Sequence, residues 1–94
     1  MKKILFVFNP NSGKGQMKNC LLDIVRIFTE GGFEVTVYPT RAPKDGYEYI
    51  LDNGSRFDVI CCSGGDGTLN ETVGAVLKLN EKLQKRFPIG YIPS

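Results

Sequence analysis

Unbroken apolar runs alternate along this chain with stripes of helical period, and that alternation leaves few folds open. Ile4-Leu5-Phe6-Val7-Phe8 is apolar throughout and ends at Asn9-Pro10, the pattern of a strand buried on both faces. From Gln16 to about Glu30 the spacing changes. Met17, Cys20, Leu21, Ile24, Ile27 and Phe28 fall on one face of a helix, which Gly31-Gly32 stops. Phe33 to Tyr38 is β-rich and ends at Pro39. Tyr47, Ile50 and Leu51 give a short helical stripe closed by Asn53-Gly54. Phe57 to Cys62 is another apolar strand. Leu69, Val73, Val76 and Leu77 mark a third helix, prolonged or restarted through Leu83, and Pro88 introduces a last strand from Ile89 to Ile92.

The order β-α-β-α-β-α-β predicts an α/β fold. Right-handed crossovers would build a parallel sheet with helices on both faces, a three-layer αβα sandwich. Residues 1–94 are expected to be a single domain with a modest core, since a chain of 94 residues buries only about 60% of its unfolded surface. Ser94 follows the last strand with no cap or further helix, so the chain is expected to be a fragment of a longer protein.

Several function classes fall away on composition. The net charge is +2 and no dense basic cluster appears, so a nucleic-acid partner is not expected; Lys82-Leu83-Gln84-Lys85-Arg86 reads as a solvated helix end. There is no histidine, which removes Ser–His and Cys–His nucleophile pairs within these residues. Cys20, Cys61 and Cys62 lack metal-ligand spacing and read as reduced thiols. The apolar stretch after Met1-Lys2-Lys3 stops at Phe8, short of the about 7–15 residues of a signal peptide, and no run approaches the roughly 20 of a membrane span. A cytoplasmic protein is expected.

Two loops leave strand ends and open into helices, where ligands bind in open α/β sheets. The first is Asn9-Pro10-Asn11-Ser12-Gly13-Lys14-Gly15; the second is Ser63-Gly64-Gly65-Asp66-Gly67-Thr68-Leu69-Asn70-Glu71. Glycines in the second allow positive φ and close backbone approach. Successive N–H groups at a helix N-terminus then attract an anion. Thr68 can cap the helix or donate to a phosphate. Asp66 would be unfavourable among phosphate oxygens unless a cation accompanies it, and Mg²⁺ is expected, held by one carboxylate plus substrate phosphates. In the first loop Asn-Pro and Ser-Gly are also ordinary turn formers, and Lys14 can reach a phosphate or stay in solvent. It is not a Walker A loop, because Phe8 stands where Gly is required and Gly15 where Ser or Thr is required. Nor does Gly65-Asp66-Gly67, followed by Asn70, fit the dinucleotide fingerprint. Thr40, just past the second strand, can hydrogen-bond a nucleotide or serve a turn. Both loops reach one ligand only if strands one and three are neighbours, which predicts the strand order 2-1-3-4.

Asn9-Pro10-Asn11-Ser12-Gly13 after the first strand, together with Gly64-Gly65-Asp66-Gly67-Thr68-Leu69-Asn70-Glu71 after the third, resembles the diacylglycerol kinase catalytic domain, a family that includes bacterial lipid kinases, sphingosine kinases and ceramide kinases. The similarity continues to Ile89-Gly90-Tyr91-Ile92-Pro93-Ser94. The resemblance implies ATP-dependent phosphorylation of a lipid hydroxyl with Mg²⁺, and transient contact with a membrane surface. It places nucleotide contacts at Asn9, Pro10, Asn11, Ser12 and Gly13, at Thr40, and at Gly64, Gly65, Asp66, Gly67, Thr68, Leu69 and Asn70. Asp66 corresponds to the aspartate of the family signature and is expected to be essential for catalysis and to hold the metal. The family's Gly-Thr-x-Asn-Asp segment and its β-rich second domain are absent from this sequence, so no general base is assigned. The ninety-four residues alone are expected to bind ATP weakly or not at all and to transfer no phosphate. An NAD kinase shares the Gly-Gly-Asp-Gly-Thr run, but the Asn-Pro-x-Ser-Gly loop and Asn70-Glu71 argue against it. A non-catalytic nucleotide-binding module is the other alternative.

Overall fold

A computed structural model of the chain describes residues 1–11 and 16–93. Four strands, β1 (Lys2–Phe8), β2 (Phe33–Pro39), β3 (Val59–Gly64) and β4 (Ile89–Pro93), alternate with helices α1 (Gln16–Glu30), α2 (Asp45–Asn53) and α3 (Asp66–Leu83). A 3-10 turn over Gly54–Arg56 follows α2. All strand pairings are parallel, in the order β2-β1-β3-β4 expected from the two loops.

Strict alternation along the two central strands builds two cores. Leu5, Val7, Ile60 and Cys62 point to the side of α2 and α3, where they pack with Ile50, Ala75, Val76 and Leu79. Ile4, Phe6, Phe8 and Cys61 point the other way, against Leu21, Ile24 and Phe28 of α1. The adjacent cysteines therefore face opposite layers, each as a buried small hydrophobe. Burial pushes the Cys61 thiol up to about 11 and raises that of Cys62 as well, so neither is a ready nucleophile.

Three features differ from the sequence reading. The third strand, expected over Phe57–Cys62, runs over Val59–Gly64. Phe57 closes the preceding turn through its N–H on the Gly54 carbonyl at 3.0 Å. At the other end Ser63 and Gly64 still pair with Ile92 and Pro93, so the ladder reaches into the glycine run. Next, α3 begins at Asp66, ahead of the expected stripe at Leu69, which places Asp66, Gly67 and Thr68 in its opening turn. Last, the apolar face of α1 is narrower than its period implies. Ile27 is 60% exposed and Cys20 is exposed, because the helix meets the sheet along the ridge of Leu21, Ile24 and Phe28 and flanking positions stay outside. Gly31-Gly32 does end α1, with Gly32 at φ 93°, and Lys82 to Arg86 is a solvated helix end with Gln84 in the left-handed region at φ 52°.

Ser63 Oγ is buried with no hydrogen-bond partner among the described residues. An unpaired buried hydroxyl costs about 1–3 kcal/mol. Ser63→Ala is expected to keep the fold and raise its stability by about 1 kcal/mol in urea unfolding. A loss of stability would show that the hydroxyl has a partner after all.

Candidate functional site

The carboxyl ends of β1, β2 and β3 meet at one edge, and the ladders extend past the strands there. The Thr40 N–H donates to the Phe8 carbonyl at 2.8 Å, and the Asn9 N–H to the Ser63 carbonyl at 3.3 Å. Asn9 Oδ1 then accepts the Asn11 N–H at 2.9 Å, an Asx turn that sets the first loop's exit. Above these strand ends lies a cleft of about 400 Å³, within the range of small-ligand sites.

One wall of the cleft is the N-terminus of α3. The turn closes with the Leu69 N–H on the Gly65 carbonyl at 3.1 Å. The N–H groups ahead of it have no intrahelical acceptor by construction, and among the described residues no side chain caps the helix. Gly67, Thr68, Glu71 and Thr72 line the cleft, as spacing of four along a helix requires. Thr72 is anchored by donating its hydroxyl to the Thr68 carbonyl at 2.9 Å.

The three glycines differ in what they do. Gly64 has φ 149°, and a Cβ there would lie 2.8 Å from Thr68 Oγ1 and 2.9 Å from its Cβ; the fold itself demands glycine. Its carbonyl accepts from the Tyr91 hydroxyl at 3.0 Å, so β4 braces the bend. At Gly65 and Gly67 a Cβ would meet nothing within 4 Å. The described residues place no steric demand on those two positions.

The opposite wall is the segment between β2 and α2. Thr40, Arg41, Ala42 and Pro43 line it. Asp45, in the first turn of α2, organises it: its carboxylate accepts the Tyr38 hydroxyl at 2.7 Å, the Arg41 N–H at 2.8 Å and, more loosely, Arg41 Nε at 3.4 Å. The Tyr38 bond foremost, then the Arg41 N–H, holds the Asp45 carboxyl below its usual value. Gly46 and Val7 form the floor, where a Cβ at Gly46 would sit 3.2 Å from both Thr40 Cγ2 and Val7 Cγ1.

Of the residues expected at the site, Asn9, Asn11, Thr40, Gly67 and Thr68 come together around this cleft. Gly65 and Asp66 are exposed and, like Pro10, Gly64, Leu69 and Asn70, lie off its lining. Leu69 packs instead on the core under α3, and Asn70 is exposed. Ser12 and Gly13, with Lys14 and Gly15, lie outside the described residues. The sequence reading missed Arg41, Gly46, Glu71 and Thr72. Starting α3 at Asp66 would have found Glu71 and Thr72 by periodicity from Gly67 and Thr68. No local signal marks Gly46.

Two predictions follow from this geometry. Gly64→Ala is expected to lose about 1–3 kcal/mol in thermal or urea unfolding, from forced positive φ and collision with Thr68; a neutral result would refute the strained bend. Because Asp45 has a lowered pKa when folded, its stabilisation is complete above the ordinary carboxylate value and disappears as pH falls through the lower folded one. The stability gap between wild type and Asp45→Asn should therefore shrink from about pH 6 to about pH 3. A gap independent of pH would contradict the assigned network.

The chain is similar to known proteins over nearly its full length. The diacylglycerol kinase catalytic domain family matches residues 3–94. A diacylglycerol kinase of Bacillus subtilis (strain 168) is 32% identical over 94 residues, covering 99% of this chain and 30% of the relative. A Staphylococcus aureus (strain MRSA252) diacylglycerol kinase is 36% identical over 98% of this chain and 28% of its own length. Sphingosine kinase B of Dictyostelium discoideum is 29% identical over 99% of this chain but 12% of itself. The solved structure of a diacylglycerol kinase from Bacillus anthracis str. Sterne superposes with a TM-score of 0.81 at 28% identity, over 99% of this chain and 33% of that one. The chain thus spans about 30% of the length of its bacterial relatives. Fold, strand order, paired loops and sequence agree: this chain belongs to the diacylglycerol kinase catalytic domain family.

Proposed function

We propose that this chain supplies the ATP site of a lipid kinase that transfers the γ-phosphate of ATP to a lipid hydroxyl. The observation that carries the reading is the unclaimed glycine pair. Gly65 and Gly67 have open space where a side chain could stand, beside an uncapped helix N-terminus that faces the cleft. Glycine there has no structural reason among the described residues, and close approach of phosphate oxygens to the backbone supplies one. Relatives named diacylglycerol kinase and sphingosine kinase point to a lipid alcohol as acceptor.

The division of labour follows the cleft. The N–H groups at the start of α3 and the Thr68 hydroxyl would hold phosphate oxygens, while Asn9, Asn11 and Thr40 would position the rest of the nucleotide. Asp66 stands exposed as the first residue of α3, one position before Gly67 of the cleft lining. No group of three or more His, Cys, Asp or Glu gathers among the described residues, so the donor set suits Mg²⁺ held by one carboxylate and the phosphates themselves, not a protein cage. Bound there, the ion would neutralise charge on the transferring phosphoryl group. Glu71, the carboxylate among the described residues lining the cleft, would keep that region selective for neutral hydrogen-bonding groups of the ligand. No helix among the described residues is long and apolar enough to cross a membrane; a lipid acceptor would be met by transient contact at a membrane surface.

Gly67→Ala separates fold from function. Replacing glycine inside α3 should stabilise the protein by about 0.5–1 kcal/mol, yet abolish the amide shifts that millimolar Mg-ATP is expected to produce at Gly65 to Thr68 in ¹⁵N–¹H spectra. Unchanged nucleotide shifts in the variant would refute the phosphate assignment. For turnover, the chain would replace the matching segment of the Bacillus subtilis relative. The chimaera is expected to phosphorylate diacylglycerol and not NAD, and Asp66→Ala to reduce the rate by about 100-fold or more. Phosphorylation of NAD, or full activity of the Asp66 variant, would overturn the reading.

A further inference from the structure

The wall formed by Arg41 has a feature that phosphate binding leaves unexplained. Among the described residues lining the cleft, Arg41 is the cation, and no aromatic ring is present to stack on a nucleobase. Its position follows from topology. The phosphate-binding turn rises from β3, and strand order β2-β1-β3-β4 puts the end of β2 two strand spacings away, roughly 9–10 Å. A nucleotide whose phosphates sit on α3 therefore carries its base toward the Thr40–Pro43 wall.

The guanidinium is prepared for a face-on contact. Asp45 accepts the Arg41 backbone N–H at 2.8 Å and approaches Nε at 3.4 Å, so one edge of the planar group is turned toward the carboxylate. The side chain is otherwise 82% exposed, which leaves its faces uncovered. Asp45 is itself fixed from behind by Tyr38, whose ring stacks on Tyr49 with centroids 3.9 Å apart. A guanidinium with a tethered edge and open faces is equipped to stack on a π-system, which a lysine in the same place is not.

We propose that Arg41 is the residue that selects the nucleobase, laying its guanidinium face on a purine ring, with Asp45 as the positioning residue that orients it. The proposal rests on the reading of the cleft as an ATP site. Stacking of this kind contributes about fivefold to tenfold in affinity, and the effect belongs to the base and not to the phosphates.

The test uses the chimaera in which this chain replaces the matching segment of the Bacillus subtilis relative, with three probes: Mg-ATP, Mg-CTP and inorganic tripolyphosphate, titrated by ¹⁵N–¹H spectra that also report whether each variant is folded. Wild type should bind ATP about fivefold tighter than CTP. Arg41→Ala should remove that advantage while leaving tripolyphosphate within about twofold. Arg41→Lys, which keeps the charge and discards the plane, should behave as alanine does. Asp45→Asn should lose part of the purine advantage with tripolyphosphate unaffected. A fall in tripolyphosphate affinity equal to the fall for ATP would make Arg41 a phosphate clamp and overturn the proposal, as would an ATP-to-CTP ratio that none of the variants moves. Wild type that binds tripolyphosphate with no purine preference would sink this inference alone. Wild type that binds none of the three would sink the ATP-site reading together with it.

Discussion

Parallel pairing of β1 with β3 is the constraint on which the rest of the molecule rests. It sets Phe8 beside Ser63, so two loops far apart in sequence leave the sheet next to one another. It also makes the two strands central, with helices covering both their faces, which explains why their residues are apolar without alternation. Had the third strand joined the outer edge of β2, each loop would open over a different part of the sheet. A single cleft would not form.

From that pairing the site assembles with little further expense. The Asn9 and Thr40 amides simply continue the ladders by one bond each. The helix that follows β3 must start close to the sheet, and Gly64 makes the sharp exit with a backbone that L-residues rarely adopt. The polar groups around the cleft are thus positioned by hydrogen bonds of the rigid sheet and of helix starts, not by long flexible loops. Such positioning would serve the proposed phosphoryl transfer, where positioning and charge neutralisation are most of catalysis.

Much of this was legible in the residues. The apolar runs and the helical stripes located every element, and the requirement that both loops serve one ligand predicted the strand order that the sheet has. The failures share a cause. Glycine and aspartate signal a loop by propensity, but in Asp66-Gly67-Thr68 they form the first turn of α3, closed by the Leu69 N–H on the Gly65 carbonyl. The late start hid Glu71 and Thr72, because Gly67 and Thr68, which share their face one turn earlier, were not counted as helical. Arg41 and Gly46 were invisible for a different reason. Their presence in the cleft depends on Asp45 gathering Tyr38 and Arg41, a tertiary network with no linear signature.

The bond from the Tyr91 hydroxyl to the Gly64 carbonyl has a wider meaning. It makes the outermost strand a strut for the glycine bend, so the motif's shape is a property of the whole four-stranded sheet and not of the tripeptide that names it. Short glycine signatures copied into another scaffold would carry the letters without the buttress. In this molecule, pressure on the rim of the sheet is felt at the point where the phosphates would rest.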